Sequence, residues 1–154
     1  MLKPKELEII AHLRENARKS LTDISKKTGI PISTIYTKLL TMRGDIIRKH
    51  TSLLNFKALG YHTIVLVLLS CDTQQLEKFE HALVCNPNIN SVLKLNNEYQ
   101  FLVEGVFRYI ADVDAFLENL EKRFRITKRK ILYIVHELKR ESFLASPKDL
   151  HLYH

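Results

Sequence analysis

The sequence predicts an α+β chain: an N-terminal winged-type helix–turn–helix domain followed by a ferredoxin-like βαββαβ domain. Three observations carry this reading. Ser20 to Arg43 reads as helix, tight turn, helix. From Tyr61 onward, strand-length apolar runs alternate with amphipathic helices in the order β-α-β, β-α-β. The charge is also divided: residues 1–60 hold 12 Lys/Arg against 5 Asp/Glu, whereas residues 61–154 hold 12 of each. The whole surplus of +7 therefore lies on the first segment, and it asks for a polyanionic partner there alone.

The spacing predicts a first helix over residues 4–16. Pro4 suits its first turn, and Leu7, Ile9, Ile10, Ala11 and Leu13 supply a buried stripe. Ser20 is the expected N-cap of the second helix, with Asp23 as acidic partner three residues on. Thr28-Gly29 ends that helix, where Gly29 can take the positive φ of a sharp reversal. Pro31 opens the third helix, whose apolar stripe is Ile32, Ile35, Leu39 and Met42. Its other side carries Ser33, Thr34, Tyr36, Thr37, Lys38 and Thr41. Hydroxyls and a cation with almost no acid can enter a DNA major groove without repulsion. Arg18 and Lys19 before the second helix and Arg43 after the third extend this predicted DNA-binding set, with Arg14, Lys26 and Lys27 as further phosphate-contact candidates.

Ile46 to Leu54 has β character and reads as a short strand leading out of the unit. The expected division is a helix–turn–helix domain over 1–52, a linker over 53–60, a ferredoxin-like domain over 61–138 and a tail over 139–154. Within the third of these, Thr63 to Cys71 is a continuous apolar run and so a central strand. A helix is expected over 73–86, a strand from Ile89 to Leu95, and a hairpin turn at Asn96-Asn97. A strand follows from Tyr99 to Phe107, then a helix over 110–125, then a last strand from Ile131 to Leu138. Two helices on one sheet face leave the other face uncovered, which predicts a homodimer at least.

The order and spacing of these features resemble the leucine-responsive (Lrp/AsnC, feast/famine) transcription regulators over about residues 3–140. The resemblance is carried by the pattern from Leu7 to Met42, the Ile46-Ile47 exit, Leu59-Gly60-Tyr61, and Val92 with Asn97-Glu98-Tyr99 in the hairpin. It implies a double-stranded-DNA-binding regulator whose second domain forms dimers or rings. It also implies a small-molecule effector, often an amino acid, bound between subunits near Asn96, Asn97, Glu98, Tyr99 and Gln100. Two departures stand out. The family's hairpin usually reads Gly-x-Tyr/Phe-Asp, so Asn97 replaces the glycine and Gln100 the carboxylate. Thr37-Lys38 stands where an Arg pair is usual, which disfavours bidentate reading of guanine from this helix.

Other chemistry is poorly represented. No Gly-rich phosphate loop, HExxH or Gly-x-Ser-x-Gly occurs. No apolar run approaches the roughly 20 residues of a bilayer span, and no signal peptide is expected, which points to the cytoplasm without membrane partners. No cofactor or metal site is expected. Cys71 and Cys85 match no zinc motif and are both expected to be buried thiols, and His151 to His154 is expected to be an exposed tail. The alternative is an enzyme on the same architecture, resembling the sirohaem decarboxylases, with His62, His81 and His136 near a tetrapyrrole; the basic first half favours the regulator.

Overall fold

A computed structural model of the chain describes residues 2–148 and Leu150. The chain divides into two compact units. One holds the N-terminal residues through Leu53 together with the C-terminal segment from Leu138, and the other spans Leu54–Glu137. The segment predicted as a tail thus belongs to the first unit. His151 to His154 lie outside the described residues.

In the first unit, α1 spans Pro4–Glu15, α2 Leu21–Thr28 and α3 Ile32–Met42. Glu6 caps the start of α1 by accepting from the Lys3 amide at 2.8 Å. Ile9, Ile10, Ile24, Ile30, Ile35 and Met42 form the core, with Leu13, Leu21, Leu39 and Ile47 packed against it. Ile30, in the turn itself, contributes to this core although it belongs to neither helical stripe. Ile32, expected to be inward, is 46% exposed. The side chain of Arg14 ties the C-terminal segment to α1: it donates to the carbonyl (2.8 Å) and carboxylate (3.1 Å) of Glu141 and to the carbonyl of Phe143 (3.1 Å).

The strand predicted over Ile46 to Leu54 does not form. After α3, Gly44 takes φ +88°, and the amides of Ile46 and Ile47 both reach the Met42 carbonyl. Only an isolated bridge, Arg43 to Ile47, remains of β pairing there. Among the described residues, the β propensity of this stretch finds no neighbouring strand to ladder with.

In the second unit, β1 (Thr63–Cys71), α4 (Leu76–Val84), β2 (Ile89–Lys94), β3 (Phe101–Phe107), α5 (Ile110–Arg123) and β4 (Ile126–Tyr133) follow in order. The sheet is fully antiparallel in the order β2-β3-β1-β4. Val65, Val67, Leu69, Cys71, Phe101, Val103 and Phe107 of one sheet face pack on Phe79 and Leu83 of α4 and on Val113, Phe116, Leu117 and Leu120 of α5. Phe79 stands edge-on to Phe101 and Phe124, with ring centroids 5.7 and 5.2 Å away.

The last strand starts earlier than predicted, at Ile126 rather than Ile131. Its register on β1 runs from Val65↔Tyr133 to Cys71↔Ile126. Lys128, Arg129 and Lys130 within it read as loop in the sequence, yet cations on a sheet edge are ordinary protection against unwanted pairing. Conversely, Val135 and Leu138 lie beyond the strand and are exposed, Leu138 at 95%. The helix expected over 73–86 is a 3₁₀ turn, Thr73–Gln75, leading into the shorter α4.

The second sheet face carries Ile64, Leu66 and Leu68 of β1, Leu102 and Val106 of β3, Leu93 of β2 and Leu132 of β4, as the strand registers require. Leu93 and Leu132 are exposed. Glu104 is buried within this face and accepts from Asn90 Nδ2 at 2.7 Å and Ser91 Oγ at 3.2 Å. Cys71 is buried as expected, and burial followed by the nearby Asp72 charge raises its thiol pKa. Cys85, expected to be buried, is exposed at the C-cap of α4.

Candidate functional site

The helix–turn–helix is built from local bonds. Ser20 Oγ accepts from the Asp23 amide at 3.0 Å and donates to its carboxylate at 2.6 Å, which starts α2. Gly29 closes the helix at φ +71° with its amide on the Ser25 carbonyl. The Pro31 carbonyl accepts from Ile35, so proline stands as the N-cap of α3 and loses no helical bond. Ile35 and Met42 then anchor α3 to the core, and this fixes which face looks outward.

Ser33, Thr34, Tyr36, Thr37 and Thr41 all lie on the exposed side of α3, and Arg43 is exposed at its end. The hydroxyls of Thr37 and Thr41 donate back to the carbonyls of Ser33 (2.9 Å) and Lys38 (2.8 Å), so they face outward as acceptors. Lys38 is placed differently from the expectation. Its ammonium donates to Glu6 of α1 at 2.6 Å, and the two side chains are 36% and 14% exposed. The Lys38 bond, followed by the Lys3 amide, holds the Glu6 carboxyl below its usual pKa.

Lys19 also departs from the predicted phosphate-contact role. Its side chain is only 11% exposed, and it donates to Glu15 at 2.6 Å and to His12 Nδ1 at 3.0 Å. His12 is itself buried, and burial followed by the Lys19 charge lowers its pKa. Arg18 remains exposed. It borders a cleft of about 810 Å³ at the end of α1, whose rim also carries Arg48, Lys49 and His50. These three are basic residues that helix periodicity could not reveal; the signal was the charge run itself, since Arg48, Lys49 and His50 follow Ile47 without an acid.

The hairpin residues in the second unit are bonded among themselves. Asn97 Oδ1 accepts from the Tyr99 amide at 2.8 Å, and Glu98 accepts from Lys128 at 3.1 Å. Ser70 Oγ donates to the Glu98 carbonyl (3.1 Å) and accepts from the Gln100 amide (3.2 Å). Gln100 Oε1 accepts from the Cys71 amide at 2.9 Å. The register of β1 on β4 slips between Ser70 and Cys71, and the ladder to β3 ends at Leu69↔Phe101. Gln100 therefore supplies the acceptor that a Cys71 amide beyond its ladder requires. Asn96 is exposed, while Tyr99 and Gln100 are half-buried.

Among the described residues, no helix is long and apolar enough to cross a membrane. Two family models match the chain: a winged helix-turn-helix DNA-binding domain over residues 2–42 and an Lrp/AsnC ligand binding domain over residues 64–143. An HTH-type transcriptional regulator of Pyrococcus furiosus is 23% identical over 91% of this chain and 95% of its own length. A second HTH-type transcriptional regulator of that organism is 28% identical over 72% and 74%. Among solved structures, a Neisseria meningitidis transcriptional regulator in complex with L-methionine shares the fold, with a TM-score of 0.83 at 19% identity over 91% of this chain and 94% of that one.

Proposed function

The chain belongs to the Lrp/AsnC family of transcription regulators, and on that footing we propose that it binds specific double-stranded DNA sites as a homodimer or larger assembly. The observation that carries this is the outward face of α3: Ser33, Thr34, Tyr36, Thr37 and Thr41 stand exposed without an acidic residue among them, on the segment that holds the entire charge surplus. Thr34 and Tyr36 read base edges, while Arg18, Arg43 and the rim cations Arg48 and Lys49 take phosphates. The dimer forms by burying the second sheet face, where Ile64, Leu66, Leu68, Leu102 and Leu132 would otherwise meet water. Two copies then present two recognition helices to half-sites about one DNA turn, roughly 34 Å, or a multiple apart.

The chain acts in the cytoplasm and is not an enzyme. The relatives that match it are regulators, and no observation favours tetrapyrrole chemistry. Its response to effectors differs from that implied by the N. meningitidis complex. Asn97 and Gln100 are uncharged amides, and the Glu98 carboxylate is already paired with Lys128 at 3.1 Å, so the hairpin offers an α-amino acid no unpaired carboxylate for its ammonium group. Any effector at this hairpin is a less cationic molecule.

Selection of bound sequences from a random duplex pool tests the reading. Recovered sites are expected to be near-palindromic, with log affinity falling linearly against log salt. Recovery of random sequence, or of single half-sites alongside a monomer in light scattering at micromolar concentration, refutes it.

A further inference from the structure

The exposed side of α4 holds a pair of groups that the regulator reading does not use. Cys85 caps the helix, and its amide donates to the His81 carbonyl at 3.0 Å. One helical turn therefore fixes the spacing of the two residues. Cys85 Sγ lies 3.5 Å from His81 Nε2 and 3.8 Å from Nδ1, and both side chains are exposed.

We propose that His81 and Cys85 form a two-ligand site for a tetrahedral thiophilic metal ion of the zinc class, one per chain. Zinc binds a thiolate at about 2.3 Å and an imidazole at about 2.0–2.1 Å. At the tetrahedral angle those bonds put sulfur and nitrogen roughly 3.5 Å apart. As placed, the sulfur lies 3.5 and 3.8 Å from the two ring nitrogens, beside both and on the lone-pair axis of neither; the one-turn spacing keeps the pair within reach, and rotation of the ring and of the sulfur about their side-chain bonds aims both at one ion. The thiol gives up its proton to the solvent as the metal–sulfur bond forms, and water completes the shell.

Among the described residues, no group of three or more metal-ligating side chains exists, so the site rests on this pair. Glu77, one turn before His81, borders the same shallow hollow as His81, as do Lys78 and Arg123. Two ligands and those two cations make the expected binding far weaker than that of a closed structural zinc site. The ion is therefore exchangeable.

Cobalt(II), which takes the same geometry and is coloured, tests the assignment on the full-length reduced protein. Titration is expected to raise a thiolate-to-cobalt charge-transfer band that saturates at one ion per chain and is displaced by zinc. Cys85→Ser should abolish the band, and His81→Ala should weaken binding at least tenfold. Both positions are exposed, so circular dichroism should show both variants folded. Cys71, present in every sample, is the internal control for a thiol that takes no metal. The proposal is overturned if the wild type gives no band at millimolar cobalt, if the band survives in Cys85→Ser, or if His81→Ala binds as the wild type does.

Discussion

Gly105, in the middle of β3, is a position where the sign of a mutational effect is diagnostic. A glycine in a strand ordinarily costs about 0.5–1 kcal/mol relative to alanine, so Gly105→Ala should stabilise the sheet if space allowed it. It does not. A Cβ at this position would stand 2.5 Å from Phe107 Cε2, 3.2 Å from its Cζ and 3.3 Å from Val65 Cγ2. The Phe107 ring lies over the glycine and packs against the Phe116 ring, with centroids 5.6 Å apart. Both rings are buried, so the clash cannot be relieved by swinging a side chain into solvent. Overpacking of this kind costs typically 1–3 kcal/mol. For a domain of this size, about 2 kcal/mol lowers Tm by roughly 8–16 °C. Scanning calorimetry of Gly105→Ala should show that fall in the transition of the sheet unit. Placed on a Phe107→Leu background, the same substitution should become nearly neutral, because the ring that causes the clash is gone. An unchanged or raised Tm for Gly105→Ala, or an undiminished penalty in the double variant, would refute this account of the packing.

Four further outcomes are expected. Glu6→Gln releases Lys38 from its 2.6 Å ion pair; a freed ammonium taking one more phosphate should steepen the log affinity–log salt slope by about 0.9, and an unchanged slope would show that Lys38 lies away from the DNA. His12 has a lowered pKa in the fold, so the unfolded chain takes the proton first. The stabilisation is complete above pH about 6.5 and is lost as pH falls below it, and His12→Gln should flatten the Tm–pH curve between pH 7 and 5. Gln100→Ala leaves the Cys71 amide without its acceptor and should destabilise the protein by about 1–3 kcal/mol in denaturant titration. In thermal-shift screens, none of the twenty amino acids at millimolar concentration should produce the roughly 2.7 kcal/mol that a hundredfold excess over Kd provides; one that did, and lost it in Gln100→Ala, would overturn the effector reading.

What could be seen from residues alone divides by physical cause. Helical periodicity and caps located α1 to α3 within a residue or two, because Ser20, Gly29 and Pro31 act through bonds to their own neighbours. Strand ends were less legible. β4 hides behind Lys128 to Lys130 because an edge strand's outer positions carry no apolar signal, and Ile46 to Leu54 carries the signal but has no partner strand among the described residues. The individual cations were the least legible. Lys19 and Lys38 look available in the sequence, yet each meets a carboxylate, from Glu15 one turn away or from Glu6 thirty-two residues away. Only the second of those separations is hidden from local reading. Gln100 looked like a lost effector ligand, and its acceptor role on Cys71 depends on a register slip that no local pattern announces.

The pairing of β1 with β4 has a consequence for how such a chain can be built and rebuilt. These strands are antiparallel neighbours, and the Ile134 amide still reaches the Ile64 carbonyl at 2.9 Å beyond the last residue of β4. The chain therefore enters and leaves the sheet itself at points one hydrogen bond apart, while residues on both flanks, before Leu54 and after Glu137, belong to the other unit. Topologically, the sheet unit is a cassette inserted into the helix–turn–helix unit rather than a bead strung after it. A cassette with adjacent ends can be exchanged by two cuts without pulling the host apart. A different sensory module with closely spaced termini, spliced between Leu53 and Leu138, should leave Arg14 its C-terminal partners, whereas simple truncation after Leu53 would remove them.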